Sequence, residues 1–370
     1  MREASFQRRL NRFVIEARLN GKLIRAYLPN PGRLWELLIP GRVVYLKEEK
    51  REGLPYTVWA TERNGSIICL HTQYTNHVAE RLIMDGVIKD FRGFTIVKKE
   101  FSIDDHRVDF LIKKDRIKGG GEVAVPLEVK SCTLFEDTIA MFPDAVTERG
   151  RRHLEVLARN RGAVLFIVHY PGAEYFLPDF HTDPYFSETL YKLRNRIMIK
   201  AISIMWDKGM EFRFVKELSI PWHIYEMEAR DRGCYIITGL LRRDRTIEIG
   251  SCGRINFKKG YYLYTGSAMN SLSSRIKRHL RKEKTMRWHF DYLIPNLQDL
   301  KAIPIQSSED LECLLSESLS SVSEGYIKGF GSSDCHCQSH LYWMKNNPLS
   351  DERFIDMLLK YRIGRLKELI

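Results

Sequence analysis

The sequence predicts an α/β multidomain protein: an N-terminal β-barrel, a mixed α/β domain, and a second α/β domain at the C-terminus. Three observations predict it. The chain has 370 residues, too many for one ordinary domain. Its first eighty residues alternate apolar and polar positions around two Asn-Gly turns. From Thr75 onward helical and strand spacings intermingle, and at Gly233 a new run of strands begins. The expected boundaries are a barrel over 1–75, an α/β domain over 76–221, a charged connector over 222–232 and a last domain over 233–370.

The barrel comes first. "FVIEARLNGKLIRAYLP" turns at Asn20-Gly21, and "YTVWATERNGSIICL" turns at Asn64-Gly65. Asn-Gly between alternating runs is the type I′ hairpin signal, because both turn residues need positive φ. "GRVVYLKE" supplies a strand between them. Two hairpins and a connecting strand suggest a small barrel, either oligonucleotide-binding or SH3-like.

"TNHVAERLIMDGVI" has helical spacing, with Val78, Leu82 and Ile83 on one side. Strands are expected at 95–103, 107–113 and 122–130, and an amphipathic helix in "DAVTERGRRHLEVLARN". "AVLFIVHY" is continuously apolar, as a strand covered on both faces must be. A long helix is expected over 184–206, then a strand in "FRFVKEL". In the last domain, strands fall in "CYIITGLL", "RTIEIG" and "GYYLYTGSA", and helices over 271–281, 308–322 and 351–369. Leu311, Leu314, Leu315 and Leu319 of the second helix are expected to face inward.

The bulk numbers narrow the function. Lys and Arg exceed Asp and Glu by 59 to 47, so the partner to expect is a polyanion. The seven cysteines are mostly isolated, which suits a reducing cytoplasm. No apolar run reaches the length of a membrane span, and the polar, arginine-rich start is unlike a signal peptide.

Two constellations carry chemistry. In "RVDFLI" and "VAVPLEVK", Asp109 interrupts one apolar strand, and Glu128 and Lys130 interrupt the other. Alternation puts Val125, Leu127 and Val129 on one face and the charged pair on the other. If the strands are neighbours, the two carboxylates converge. Their repulsion is relieved by a hard cation such as Mg²⁺ (or Mn²⁺), and Lys130 can neutralise a phosphate beside it. A solvated sheet face accounts for any single one of these residues. The pattern resembles the PD-(D/E)xK nuclease motif. Arg107 shares Asp109's face, and Arg33 sits in the "PNPGRL" turn; both are candidate phosphate contacts.

"RRLNRFVIEARLNGKLIRAYLPNPGRL", "HTQYTNHVAERLI", "LEVKSCTL" and "FPDAVTERGRRHL" together resemble the sugar fermentation stimulation protein A family over about residues 1–221. The resemblance implies an oligonucleotide-binding (OB) barrel followed by a nuclease-like α/β domain, and binding to DNA. It makes Asp109 and Glu128 metal-binding acids and Lys130 the catalytic lysine. Glu80 is either a further metal carboxylate or an exposed helical residue. Asp144 is expected to cap the following helix rather than enter the site. Arg149, Arg152 and His153 either hold phosphates or line a solvated helix face.

"GCY" at 233–235, "YTG" at 264–266, "LSSRIKRHLRK" and "SEDLECLLSESL" resemble the GIY-YIG nuclease domain in its archaeal form, over about 231–347. The resemblance makes Tyr235 and Tyr264 the water-positioning tyrosines, Arg275 the transition-state arginine and Glu312 the metal acid, with Glu317 as rival. The extra residues between the tyrosines either extend a hairpin or mark a repurposed fold. Lys277 and Arg278 on the same basic helix are candidate nucleic-acid contacts. His289 and Asp291 are expected on a strand near this site, the histidine buried and satisfied. Cys335, Cys337 and His340 are too cramped for paired zinc spacing. Packing is the favoured reading; zinc is the other, if Cys313 or His289 approaches in space.

The expected function is Mg²⁺-dependent hydrolysis of nucleic acid, DNA rather than RNA. The competing class is a non-catalytic DNA-binding regulator that keeps nuclease folds as platforms.

Overall fold

The computed structural model describes residues 1–49, 53–103, 106–114 and 123–370. Two compact units divide them, Met1–Trp222 with Leu366–Ile370, and His223–Arg365.

The first unit opens with β1 (Arg2–Asn11), β2 (Val14–Leu19), β3 (Lys22–Tyr27), β4 (Val43–Glu48) and β5 (Tyr56–Arg63). Their order is β3-β2-β1-β4-β5, and β3 also pairs β5, which closes a five-stranded barrel. Both Asn-Gly turns form as expected, with positive φ at Asn20, Gly21, Asn64 and Gly65. β1 lies in residues read as a merely polar start. Only Ala4 and Phe6 of it are buried, so the period-2 signal is drowned by arginines.

The barrel hands its hydrogen bonding on. β5 pairs β6 (Ser66–Cys69) across the second turn. After α1 (Tyr74–Met84) come β7 (Thr95–Ile103), β8 (His106–Lys114), β9 (Val123–Cys132), β10 (Leu134–Glu136), β11 (Ile139–Phe142), α2 (Glu148–Arg159), β12 (Ala163–Val168), β13 (Tyr175–Pro178), α3 (Pro184–Leu193), β14 (Met198–Trp206) and β15 (Phe212–Glu217). The main sheet continues β6-β14-β12-β9-β8-β7, with β12 parallel to both neighbours. Every side chain of β12 is buried, as its apolar run requires. β10, β11 and β13 form a separate small sheet.

The long helix expected over 184–206 is half wrong. It ends at Leu193, and Met198–Trp206 is a strand between β12 and β6. The strand's middle, residues 201–204, is buried on both sides and so carries no alternation, and spacing cannot separate it from a buried helix. α1 covers one face of this sheet, packing Val78 and Ala79 with Val125, Leu127 and Val129. α2 covers the other, and its Leu154 and Leu157 share one core with Phe166 and with barrel residues such as Phe6 and Ile15. The regions read as separate over 1–75 and 76–221 therefore share apolar packing.

Glu36 lies buried in this unit with one carboxylate oxygen unpartnered. Burial, and then the neighbouring Asp144 charge, push its carboxyl up to about 7. Below its ordinary value both folded and unfolded chains hold the proton, and nothing is lost. As pH rises toward about 7 the folded state resists a charge that the unfolded chain accepts, and stability falls. Glu36→Gln should therefore stabilise the protein by on the order of 3 kcal/mol at pH 8 and by little at pH 4. Urea unfolding at the two values checks this.

The stretch 222–232, expected as a connector, carries α4 (Trp222–Glu228). Its Ile224, Tyr225 and Glu228 are buried, and Glu228 accepts from Arg365 and Ser308, so charge alone misreads it. The second unit then builds β16 (Gly233–Leu241), β17 (Arg245–Glu248), β18 (Arg254–Phe257), β19 (Gly260–Ala268), α5 (Leu272–Leu280), α6 (His289–Leu293), β20 (Gln298–Gln306), α7 (Glu312–Val322), β21 (Gly325–Tyr326), β22 (Leu341–Met344) and α8 (Glu352–Arg362). Its sheet runs β20-β16-β19-β22-β21, antiparallel throughout. Leu311, Leu315 and Leu319 are buried as expected, but Leu314 is 52% exposed. No helix among the described residues is long and apolar enough to cross a membrane.

Candidate active sites

β8 and β9 are antiparallel neighbours, with Phe110 opposite Leu127. One step along, Asp109 and Glu128 come together in a cavity of about 400 Å³ that Lys130 also lines. Asp109 accepts from Asn76 Nδ2 at 2.7 Å and from the Val129 N–H at 2.8 Å. Glu128 Oε1 accepts from Lys130 Nζ at 2.5 Å and from His153 Nδ1 at 2.7 Å. Arg149 Nε donates to His153 Nε2, so Nδ1 carries the hydrogen that Glu128 accepts. His153 thus orients the acid from behind and does not reach for phosphate.

The two acids respond differently to the same cleft. Burial, and then Glu128's charge, push the Asp109 carboxyl up. Burial also works against Glu128, but Lys130 and His153 outweigh it and hold its carboxyl below the usual range. Glu128 Oε2 is buried with no partner. A buried, unpaired carboxylate oxygen beside a second acid is the donor set a hard cation takes.

Glu80 is not part of this group. It pairs with Lys99 at 2.7 Å. Asn76 and Glu80 share a helix face one turn apart, and only the N-terminal turn reaches Asp109. Arg107 pairs with Glu100 in solvent, Arg33 stacks on Trp35 at 5.1 Å, and Arg149 and Arg152 are exposed on α2. None of these four lines the cavity; Arg12, from the β1–β2 turn, does. Asp144 does not cap α2, because Thr147 accepts from Gly150 N at 3.0 Å and fills that role. Asp144 instead lines the cavity and accepts from Leu34 N. Arg12 and Asn76 were missed as site residues, and Asp144 was given to the helix cap instead. Their signal lay in the "RRLNRF", "TNHVAE" and "FPDAVTERG" stretches, but no spacing rule aims them at one point.

Gly32 explains how the barrel loop meets this cleft. A Cβ there would collide with the Asp144 carboxylate. Gly32→Ala should cost about 1–3 kcal/mol by overpacking. Chemical denaturation checks it, and Asp144→Ala in the same chain should recover most of the loss.

In the second unit, β16 pairs β19 with Ile237 opposite Tyr264 and Tyr235 opposite Gly266. The residues between the tyrosines form their own hairpin, β17–β18, so the added length leaves the tyrosines on adjacent strands. Tyr235, Tyr264, Arg275 and Glu312 all line one cavity of about 450 Å³. Glu317 does not; it lines a different cavity, beside Cys313. The tyrosine rings lie 6.4 Å apart. Burial above all raises both phenols, so at neutral pH they are hydrogen-bond donors rather than phenolate bases. The Tyr235 hydroxyl lies 2.9 Å from His279 Nε2. His279, pushed down to about 4 by burial, is a neutral partner that spacing did not single out.

Arg275 lies over the Trp288 ring at 4.6 Å and Arg278 at 3.9 Å. Arg278 is not a free contact: its guanidinium holds Asp291 at 3.1 and 2.9 Å. Lys277 is exposed. His289 and Asp291 belong to a helix, α6, not a strand. Asp291 is fully buried, and also accepts from the N–H groups of Arg287 and Trp288. His289 lines the cavity.

Residues 8–70 match the SfsA N-terminal OB domain, 73–209 the sugar fermentation stimulation protein RE domain, and 234–362 a domain of unknown function, DUF123. A sugar fermentation stimulation protein homolog of Methanobrevibacter smithii is 36% identical over 51% of this chain and 84% of its own length. That of Carboxydothermus hydrogenoformans is 38% identical over 56% and 93%. A solved structure described as Pyrococcus furiosus SfsA in complex with Ca²⁺ is 30% identical, with a TM-score of 0.55, and covers 59% of this chain and 95% of that one. Most of the OB barrel and of the α/β layer described above falls within the matched residues, and the chain belongs to the sugar fermentation stimulation protein family, with a DUF123 domain following.

Proposed function

We propose that this protein binds DNA and hydrolyses its phosphodiester bonds with a divalent cation, Mg²⁺ or Mn²⁺, at Asp109, Glu128 and Lys130. The observation that carries the reading is the convergence of a half-buried carboxylate, Asp109, with a buried one, Glu128, that has an unpartnered oxygen, beside a lysine ammonium. The acids would hold the cation, which supplies phosphoryl polarisation and a more acidic water. Lys130 would offset charge growing on the phosphate, and Arg12 at the cavity mouth would hold a neighbouring phosphate. The Ca²⁺ complex of the Pyrococcus furiosus relative supports a hard, oxygen-seeking cation in this family. The second cavity would act similarly: Tyr235 and Tyr264 donate to the attacking water or the phosphate, Arg275 meets the developing charge, and Glu312 holds a cation.

One observation favours the non-catalytic reading. Lys130 and the His153 N–H already hold Glu128 Oε1, so one of the two acids is partly met by the chain's own groups, as in a binding platform. Labelled single- and double-stranded DNA and RNA, incubated with Mg²⁺, Mn²⁺ or chelator, separate the readings. Cleavage that chelator abolishes supports the enzyme. Salt-sensitive binding with no cleavage under any cation supports the platform.

A further inference from the structure

The loop between β21 and β22 ends in "SSDCHCQSH", and its tip offers little apolar side chain to pack. Its backbone is held at the base, where Gly329 N donates to Gln338 O and His340 N to Phe330 O. Beyond that base three soft ligands gather with a fourth from another element. Cys335 and Cys337 come from the tip, His340 from the residue just before β22, and Cys313 from the first turn of α7. One ligand atom from each lies within 4.8 Å of all the others, the one such group among the described residues. All three cysteines are free thiols.

The C-x-C-x-x-H spacing is too cramped for a zinc site by itself. Folding removes that objection, because Cys313 enters from the helix and completes four ligands on two elements. Tetrahedral zinc with ordinary Zn–S and Zn–N bonds separates its ligand atoms by roughly 3.5–3.8 Å. Cys335 Sγ and His340 Nε2 are already 3.4 Å apart. No pair needs an inward shift of more than about 1 Å, within reach of a thiol rotation. His340 is oriented for the task. Its Nδ1 lies 2.7 Å from Glu312 Oε1, a short contact without hydrogen-bond alignment, and its Nε2 faces the thiols. A carboxylate behind a ligating histidine is the usual support of a zinc ligand.

We propose that Cys313, Cys335, Cys337 and His340 Nε2 bind one structural Zn²⁺ that pins the β21–β22 loop to α7. Three thiolates and an imidazole select a soft, tetrahedral cation over Mg²⁺. Four protein ligands close the shell, so the ion is structural and has no open position for substrate. Binding releases the three thiol protons to solvent. Through His340 the ion also fixes Glu312, the acid at the edge of the second cavity. The proposal stands without the nuclease reading, because its readout is metal content rather than cleavage.

The test uses the full chain. Purified from zinc-supplemented growth and dialysed, it should hold one zinc per chain by mass spectrometry of the metal. Replacement by Co²⁺ should give thiolate-to-cobalt charge-transfer bands and the visible bands of a tetrahedral ion. Cys335→Ser and Cys337→Ser should each lose the zinc, and Cys252→Ser should keep it. A wild-type chain that takes up no zinc, Co²⁺ spectra without thiolate bands, or a disulfide among the three cysteines would each overturn the proposal. If the serine variants do not fold, the wild-type cobalt spectrum decides alone.

Discussion

Glu128→Gln should lower cation-dependent strand cleavage by at least about a hundredfold, the scale for losing one organised charge at a reacting phosphate. DNA affinity should stay within about threefold, because phosphate contacts elsewhere on the basic surface set it. The amide keeps the shape of the side chain but removes the charge that faces Asp109 and the unpartnered oxygen. Lys130 also loses its 2.5 Å partner, so Lys130→Ala should show a comparable loss. Glu80→Gln is the informative control. Its carboxylate is spent on Lys99, and cleavage should be nearly unchanged. Cleavage rates and fluorescence anisotropy, measured on the same preparations, check all three. Full activity in Glu128→Gln would remove the proposed centre.

Asp291→Ala should destabilise the second unit by about 3–5 kcal/mol, the range for stripping one partner from a buried ion pair. The carboxylate is fully buried and accepts both guanidinium arms of Arg278. Lys284 lies 3.5 Å from it and His279 3.6 Å. Burial disfavours its charge, yet Arg278 and the two backbone N–H groups win and hold the carboxyl down to about 2. A depressed carboxyl contributes stability above its ordinary value and loses it as pH falls toward 2, so at neutral pH the whole contribution is at stake. Alanine leaves the half-buried Arg278 guanidinium and the buried Lys284 ammonium without their anion. Hydrogen exchange read by region checks the effect: amides of β16 and β19 should lose protection while those of β9 and β12 do not. Arg275 shares the Trp288 ring with Arg278, so the same change should loosen the second cavity.

The sequence disclosed the elements whose local rules suffice. Asn20-Gly21 and Asn64-Gly65 could hardly be anything but hairpins, and "AVLFIV" is short and rich in β-branched residues, which favours a covered strand. The charged interruptions at Asp109, Glu128 and Lys130 were legible because charge inside an apolar strand needs a reason. What stayed hidden was set by distance along the chain. Asn76 reaches Asp109, Asp144 meets the Gly32 loop, and Arg12 arrives from a hairpin in the barrel; no local spacing encodes such meetings. Met198–Trp206 was misread because a strand with both sides covered has lost the alternation that would identify it. The charged residues of 222–232 suggested solvent, but Glu228 is buried against Arg365, a partner far beyond any sequence window. Arg278 looked like a hand for nucleic acid and turned out to be gripping its own chain.

The apolar packing that joins Phe6 and Ile15 of the barrel to Leu154 and Phe166 of the α/β layer bears on how this protein can be dissected. A fragment cut near residue 72, to isolate a small strand-binding module, would bring that seam into water. Such a piece should be sticky and poorly soluble, and its measured affinities would report an artefact of the cut. Scissors belong outside this seam, not through it.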